Sequence, residues 1–185
     1  AVMFVDLDRF KQVNDTLGHG AGDAMIKACG ERLSKVLRED DAVARFGGDE
    51  FVLILENLSK DSDATIVAEK VLACCAEPFV IDERELHVTA SIGISVYPED
   101  GEDQRTLIQH ADAAMYFTKA HGRNGYHFYT PAMHERVNSR LGIEARLRAA
   151  LELEQFELVY QPQTRTVDGA LYGVESDLRL DRLRE

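Results

Sequence analysis

The sequence predicts an α+β fold: a ferredoxin-like βαββαβ antiparallel sheet with flanking helices, then a linker helix and the remnant of a second domain. Three observations predict it. Short apolar runs alternate with stretches of helical periodicity. A Gly-Gly pair separates two adjacent strand-like runs. A long Arg- and Glu-rich stretch then divides the chain unequally.

Ala1 to Val5 is continuously apolar, which suits a strand buried on both faces. The chain opens inside this strand, so residue 1 is not expected to be the natural start of the domain. Asp6 to Gly22 is polar and reads as a loop; Gly18, Gly20 and Gly22 are expected to give it unusual backbone angles and close ligand approach. Met25, Ile26, Cys29, Leu33, Val36 and Leu37 have helical spacing within 23–38. Strands are expected at 41–46 and 50–56, joined by a hairpin at Gly47-Gly48-Asp49. A helix over 61–76 ends before Pro78. Residues 85–97 read as one long strand, 103–120 as a helix with Leu107, Ile108, Ala111, Ala114, Met115 and Phe117 inward, and 126–130 as a short strand.

After Pro131 a linker helix is expected to run to Glu154. Residues 156–163 and 170–175 are strand candidates, and the charged end from Ser176 is expected to have no partner element. The expected domains are therefore 1–130, a linker at 131–154 and an incomplete unit at 155–185.

Composition excludes several function classes. A hydrophobic content of 45% is that of a chain with a real core, not a disordered one. With 21 basic and 33 acidic residues the net charge is −12, the wrong sign for a general nucleic-acid binder. A small phosphorylated ligand would need a local basic pocket or a metal. No run approaches the ~18 apolar residues of a membrane span, and no signal peptide opens the chain. A cytoplasmic location is expected, with any inner-membrane attachment left to upstream domains. Cys29, Cys74 and Cys75 have neither metal spacing nor a disulfide framework, and read as buried small residues.

The element order has a chemical consequence. In the usual sheet order of a split βαβ fold, the third strand lies between the first and second, antiparallel to both. Asp6, at the exit of the first strand, then sits beside Asp49 and Glu50, although 43 positions separate Asp6 from Asp49.

Phe46-Gly47-Gly48-Asp49-Glu50-Phe51 stands with Asp6-Leu7-Asp8-Arg9-Phe10-Lys11, Asn14-Asp15, Gly18-His19, Gly22-Asp23 and Lys119-x-x-x-Arg123-Asn124. In this order and spacing the set resembles the GGDEF-domain diguanylate cyclases, which make cyclic di-GMP from two GTP molecules on a palm-type sheet. The resemblance covers residues 1–130. The helix and D-x-L-T-x-L-x-N-R segment that precede the first strand in that family have no match here.

The resemblance implies that Asp6, Asp49 and the Leu7 backbone carbonyl hold Mg²⁺ or Mn²⁺, which would neutralise charge developing at the α-phosphate. Glu50 is implied as a second ligand or as proton acceptor for the 3′-hydroxyl. Gly47 and Gly48 leave room for phosphates, and they are equally the residues of a hairpin turn. Asn14 and Asp23 match the guanine-reading pair: a carboxylate accepts from guanine N1–H and N2–H₂, and neither group suits adenine. As a residue alone, Asp23 also suits a helix N-cap. Lys119 and Arg123, with the backbone N–H groups near Arg9 and Phe10, are implied for the β- and γ-phosphates; at a helix C-terminus the two cations would also favour the dipole. His19 reads as loop-stabilising. Arg38-Glu39-Asp40-Asp41 is an R-x-x-D nine residues before Gly47, the spacing of the family's inhibitory product site. Arg38 and Asp41 would bind cyclic di-GMP there.

The function implied is condensation of two GTP into cyclic di-GMP by facing domains, hence a homodimer, with no nucleic-acid partner and no membrane contact within this chain. The alternative is a non-catalytic GTP- or cyclic di-GMP-binding regulatory domain. Leu147 to Arg179 resembles the start of the EAL-type cyclic di-GMP phosphodiesterases, with Tyr160-Gln161-Pro162-Gln163 and Gly173-Val174-Glu175. Glu175 stands at that family's first metal ligand, but Ser176-Asp177 replaces the expected continuation. No phosphodiesterase activity is expected from one such glutamate.

Overall fold

The computed structural model describes residues 1–133 and 147–180. The chain divides into two compact units, Ala1–Val137 and Asn138–Glu185.

The first unit is built on a five-stranded sheet. Its strands are β1 (Val2–Leu7), β2 (Ala42–Gly47), β3 (Glu50–Ile54), β6 (Ala90–Ser95) and β7 (Gly125–Phe128), in the order β2-β3-β1-β6-β7. β3 lies between β1 and β2, antiparallel to both, as the sequence predicts. The α+β architecture is therefore the expected one.

The alternation of side chains along β1 divides the core. Met3, Val5 and Leu7 face the larger apolar cluster, with Met25, Ile26, Cys29 and Leu33 of α2 (His19–Val36) and Ala68, Val71 and Cys75 of α3 (Asp61–Ala76). Phe4 and Val52 face the other side, where Ala111 and Met115 of α4 (Gln104–Ala120) cover them. This helix reaches the sheet closely because position 93 is glycine. A Cβ there would lie 1.9 Å from the Ala111 carbonyl oxygen and 2.1 Å from the Met115 nitrogen.

Several readings need correction. The polar stretch after Asp6 is not all loop: α1 (Phe10–Leu17) occupies its middle. Phe10, Val13 and Leu17 give that stretch one apolar face, enough for two turns once packed. Consequently α2 starts at His19 behind Gly18 (φ 84), and only Gly18 of the three glycines uses a left-handed angle. Gly22 serves close approach of the protein itself, since a Cβ would lie 2.0 Å from Asn14 Oδ1.

The long strand expected at 85–97 is broken. β5 (Arg84–Leu86) folds back on β4 (Phe79–Ile81) as a hairpin, and only β6 joins the main sheet. The turn uses Asp82 (φ 49) and Glu83 (φ 61), so no glycine announces it. Within α4, Thr118 is buried, whereas Phe117 is half-buried and stacks on His121.

In the second unit β8 (Phe156–Thr164) pairs antiparallel with β9 (Leu171–Leu180). The charged end does have a partner up to Leu180: Ser176 pairs with Tyr160 and Leu178 with Leu158. Residues 131–133 and 147–152 are helical, 153–154 turn out of the helix two residues before its expected end, and 134–146 lie outside the described residues. All three cysteines are free; Cys29 and Cys75 are buried and Cys74 is half-buried.

Candidate functional site

The site is built where β1 ends beside the turn between β2 and β3. Asp6 pairs in register with Glu50 on one side and with Ser91 on the other. The Leu7 N–H donates to the Asp49 carbonyl at 3.3 Å, which ties the turn to the end of β1. Gly48 takes φ 51, and a Cβ at Gly47 or Gly48 would meet open space. A second tie was not foreseen: Arg45 donates from Nε (3.0 Å) and from its terminal nitrogen (2.8 Å) to the Gly48 carbonyl.

Asp6 is buried, and Lys119 from the last turn of α4 forms an ion pair with it at 2.5 Å. Burial pushes the Asp6 pKa up to about 6; the Lys119 hydrogen bond and charge oppose this, and the Asp49 and Glu50 charges add to it. Burial also raises the Glu50 pKa, helped by Asp112 and Asp49 and opposed by Lys119. Asp112 of α4 is raised by desolvation and lowered by Lys119. It precedes Lys119 by seven positions, two helical turns on the same face, and that spacing was the signal for it.

One ammonium thus serves several carboxylates, an oxygen-rich and charge-deficient arrangement. Its donors fit a hard divalent cation, which would lower the same pKa values that crowding raises. Among the described residues no three His, Cys, Asp or Glu side chains gather as a metal-binding group. The remaining donors would come from the Leu7 carbonyl and a ligand's phosphates.

The other predicted residues lie on several elements. Arg9 (φ 60) and Phe10 form the start of α1, which no side chain caps. Arg123 (φ 61) is exposed in the turn after α4, 4.0 Å from Asp8. Asn14 on α1 lies against Gly22 of α2, and the exposed Asp23 follows directly. Asp23 is inside α2, whose N-cap is Gly18, so the capping alternative does not apply. It lines a cleft of about 560 Å³ with Lys27, Arg45 and Phe51. His19 and Lys11 are exposed on α2 and α1.

Arg38 and Asp41 lie at the other end of β2. The Asp41 carboxylate accepts from the backbone N–H of Arg38 (3.1 Å) and of Glu56 (3.2 Å), closing the loop between α2 and β2. In the second unit, Glu175 accepts from Gln163 Nε2 at 3.0 Å.

Residues 1–125 match the family described as diguanylate cyclase, GGDEF domain. The chain is 44% identical over 179 residues to the bifunctional diguanylate cyclase/cyclic di-GMP phosphodiesterase MucR of Pseudomonas aeruginosa, covering 97% of this chain and 26% of MucR. It is 43% identical to the cyclic di-GMP phosphodiesterase NbdA of the same organism, covering 97% of this chain and 23% of NbdA. The chain thus spans about a quarter of the length of these curated relatives. Among solved structures, the GGDEF domain of TpbB from Pseudomonas aeruginosa superimposes with a TM-score of 0.68 at 38% identity, covering 70% of this chain and 81% of that one. The fold, the turn and these matches agree: the chain belongs to the GGDEF family of diguanylate cyclase domains.

Proposed function

We propose that the first unit condenses two GTP molecules into cyclic di-GMP, releasing two pyrophosphates. One observation supports this above the others: Asp6 in register with Glu50, beside the Asp49 turn, with Lys119 at the same strand end. Asp6, Asp49 and the Leu7 carbonyl would hold Mg²⁺ or Mn²⁺. Such an ion supplies charge neutralisation at the α-phosphate and lowers the pKa of the attacking hydroxyl. Glu50, with its raised pKa, suits either proton acceptance from the 3′-hydroxyl or a second ligand position. Asn14 and Asp23 would read the guanine edge. Gly47 and Gly48 leave the phosphates room. Lys119, Arg123 and the peptide N–H groups of Arg9 and Phe10 would bind the β- and γ-phosphates. In that complex Lys119 would exchange part of its Asp6 contact for phosphate, leaving Asp6 to hold the ion.

Each chain offers one such site, in its first unit, so two copies must face each other for each 3′-hydroxyl to reach the other α-phosphate. Arg38 and Asp41 would bind the product and inhibit. Residues 155–185 are read as the start of an EAL-type domain, in which Glu175 alone hydrolyses nothing. A second reading, a GTP- or cyclic di-GMP-binding regulatory domain, is favoured by one observation: a relative as similar as NbdA is named for phosphodiesterase activity only.

Incubation with GTP and Mg²⁺, followed by chromatography, separates the two readings. Cyclic di-GMP and pyrophosphate are expected from the chain, and none from Asp49→Ala with its melting temperature retained, because a half-exposed turn carboxylate leaves no core cavity. Binding of GTP without product would favour the regulatory reading. Equal product from Asp49→Ala would remove Asp49 from the machinery.

A further inference from the structure

Asp8 is the one buried carboxylate of the motif that the proposed chemistry leaves without a task. Both of its oxygens accept hydrogen bonds. Oδ1 accepts from Ser91 Oγ at 2.7 Å, and Oδ2 accepts from Thr89 Oγ1 at 2.6 Å and from the Asn124 backbone N–H at 3.1 Å. Arg123 Nε stands 4.0 Å from Oδ1. These donors lie 81 to 116 positions away in sequence.

The segment that Asp8 holds is strained. Gly122 (φ 117), Arg123 (φ 61) and Asn124 (φ 44) are consecutive and all left-handed. An L side chain such as that of Arg123 crowds its own backbone in this region, so the turn persists only where its surroundings fix it. Two bonds do so: Arg123 N–H to the Thr118 carbonyl at 3.1 Å, and Asn124 N–H to Asp8. Gly125 then enters β7 in register with Ser91, itself a donor to Asp8. On the other side, Asp8 directly precedes Arg9, the left-handed N-cap of the uncapped α1. One carboxylate therefore fixes both segments that carry the candidate phosphate donors.

Resting on the GTP reading above, we propose that Asp8 is the positioning residue of the triphosphate site. It holds the Arg123 turn against the start of α1 so that both meet one anion. A carboxylate beside a phosphate site would ordinarily repel it. Here the side chain is only 3% exposed and its oxygens accept three hydrogen bonds, so a ligand meets the segments it holds and not the carboxylate itself.

The test is calorimetric titration of the whole chain, in Mg²⁺, with GTP and with GMP, which lacks the two terminal phosphates. Asp8→Asn keeps the size but turns an amide N–H₂ toward one donor set. It is expected to weaken GTP by about tenfold, the scale of one charge-assisted hydrogen bond, and to leave GMP within about twofold. Thr89→Val removes one hydroxyl donor to Asp8 without changing shape, and should weaken GTP several-fold with GMP unchanged. It keeps the proposal testable if Asp8→Asn does not fold. Equal losses for both nucleotides, in whichever variant folds, mean a merely structural residue and overturn the proposal. So does unchanged or tighter GTP binding. Failure of the unaltered chain to bind GTP overturns the GTP reading itself, a different result from either.

Discussion

Asp6 shows how one residue can be costly to the fold and useful to the site. Its carboxyl is buried among other carboxylates, with Lys119 as its ion-pair partner. The folded pKa of about 6 lies above the ordinary 3.8, so the folded protein holds the proton more tightly than the unfolded chain does. Stability from this group is therefore present below pH 3.8 and is lost as pH rises to about 6. Asp6→Asn carries no such charge. Denaturant unfolding at several pH values without divalent metal should show the variant gaining on the unaltered chain between these two values, then holding a constant difference. A difference that does not change with pH would place the ionised Asp6 in a better-compensated setting than its surroundings indicate.

At the scale of elements, the contact between α4 and β6 decides where Lys119 stands. Ala111, Ala114 and Met115 ride on the sheet with no space for a side chain at position 93. Thr118 fastens the end of the helix by donating to the Ile92 carbonyl at 2.9 Å and to its own Ala114 carbonyl at 3.0 Å. Gly93→Ala would push backbone against backbone, and no flexible side-chain end can yield there. Overpacking of this kind costs ~1–3 kcal/mol or more. Thermal unfolding should show that loss, and the proposed cyclase turnover should fall with it, because lifting α4 separates Lys119 from Asp6. A variant of unchanged stability would mean that the helix shifts without resistance.

At the scale of the molecule, the two proposed nucleotide sites lie at opposite ends of β2. Eight positions separate Asp41 from Asp49, which at ~3.3 Å per residue is at most roughly 26 Å. Product at Arg38 would then inhibit without overlapping GTP, by favouring an unproductive arrangement of units for which it has the higher affinity. Arg38→Ala should raise the cyclic di-GMP concentration needed for half-inhibition and leave initial rates nearly unchanged. A parallel loss of initial rate would move Arg38 into the catalytic machinery. The second unit has its own unfinished surface. Leu158, Tyr160, Val174 and Leu178 share one face of the β8–β9 hairpin and are 55% to 71% exposed. A two-stranded sheet of this kind needs a packing partner to be stable.

The order of the strands and the meeting of Asp6 with Glu50 were legible in the sequence, because apolar runs and a Gly-Gly turn are local signals. Strand order in this fold then follows from a few connection rules. The hairpin turn was also legible, since Gly48 does adopt a left-handed angle. Other features were not. α1 hides in a polar stretch because three apolar residues suffice once a neighbouring helix covers them. The break before β6 hides because Asp82 and Glu83 turn the chain without glycine. The place of Asp112 and the pairing of Lys119 with Asp6 depend on which helix lies over which strand end, and the Arg45 clamp depends on the conformation of the turn it closes. Asp8 is the extreme case. Every side-chain partner it has comes from more than 80 positions away, and no local pattern reports donors at that range. Sequence placed the carboxylates along the chain; tertiary structure alone decided that Asp6 meets Glu50 and Lys119 while Asp8 meets Thr89, Ser91 and Asn124.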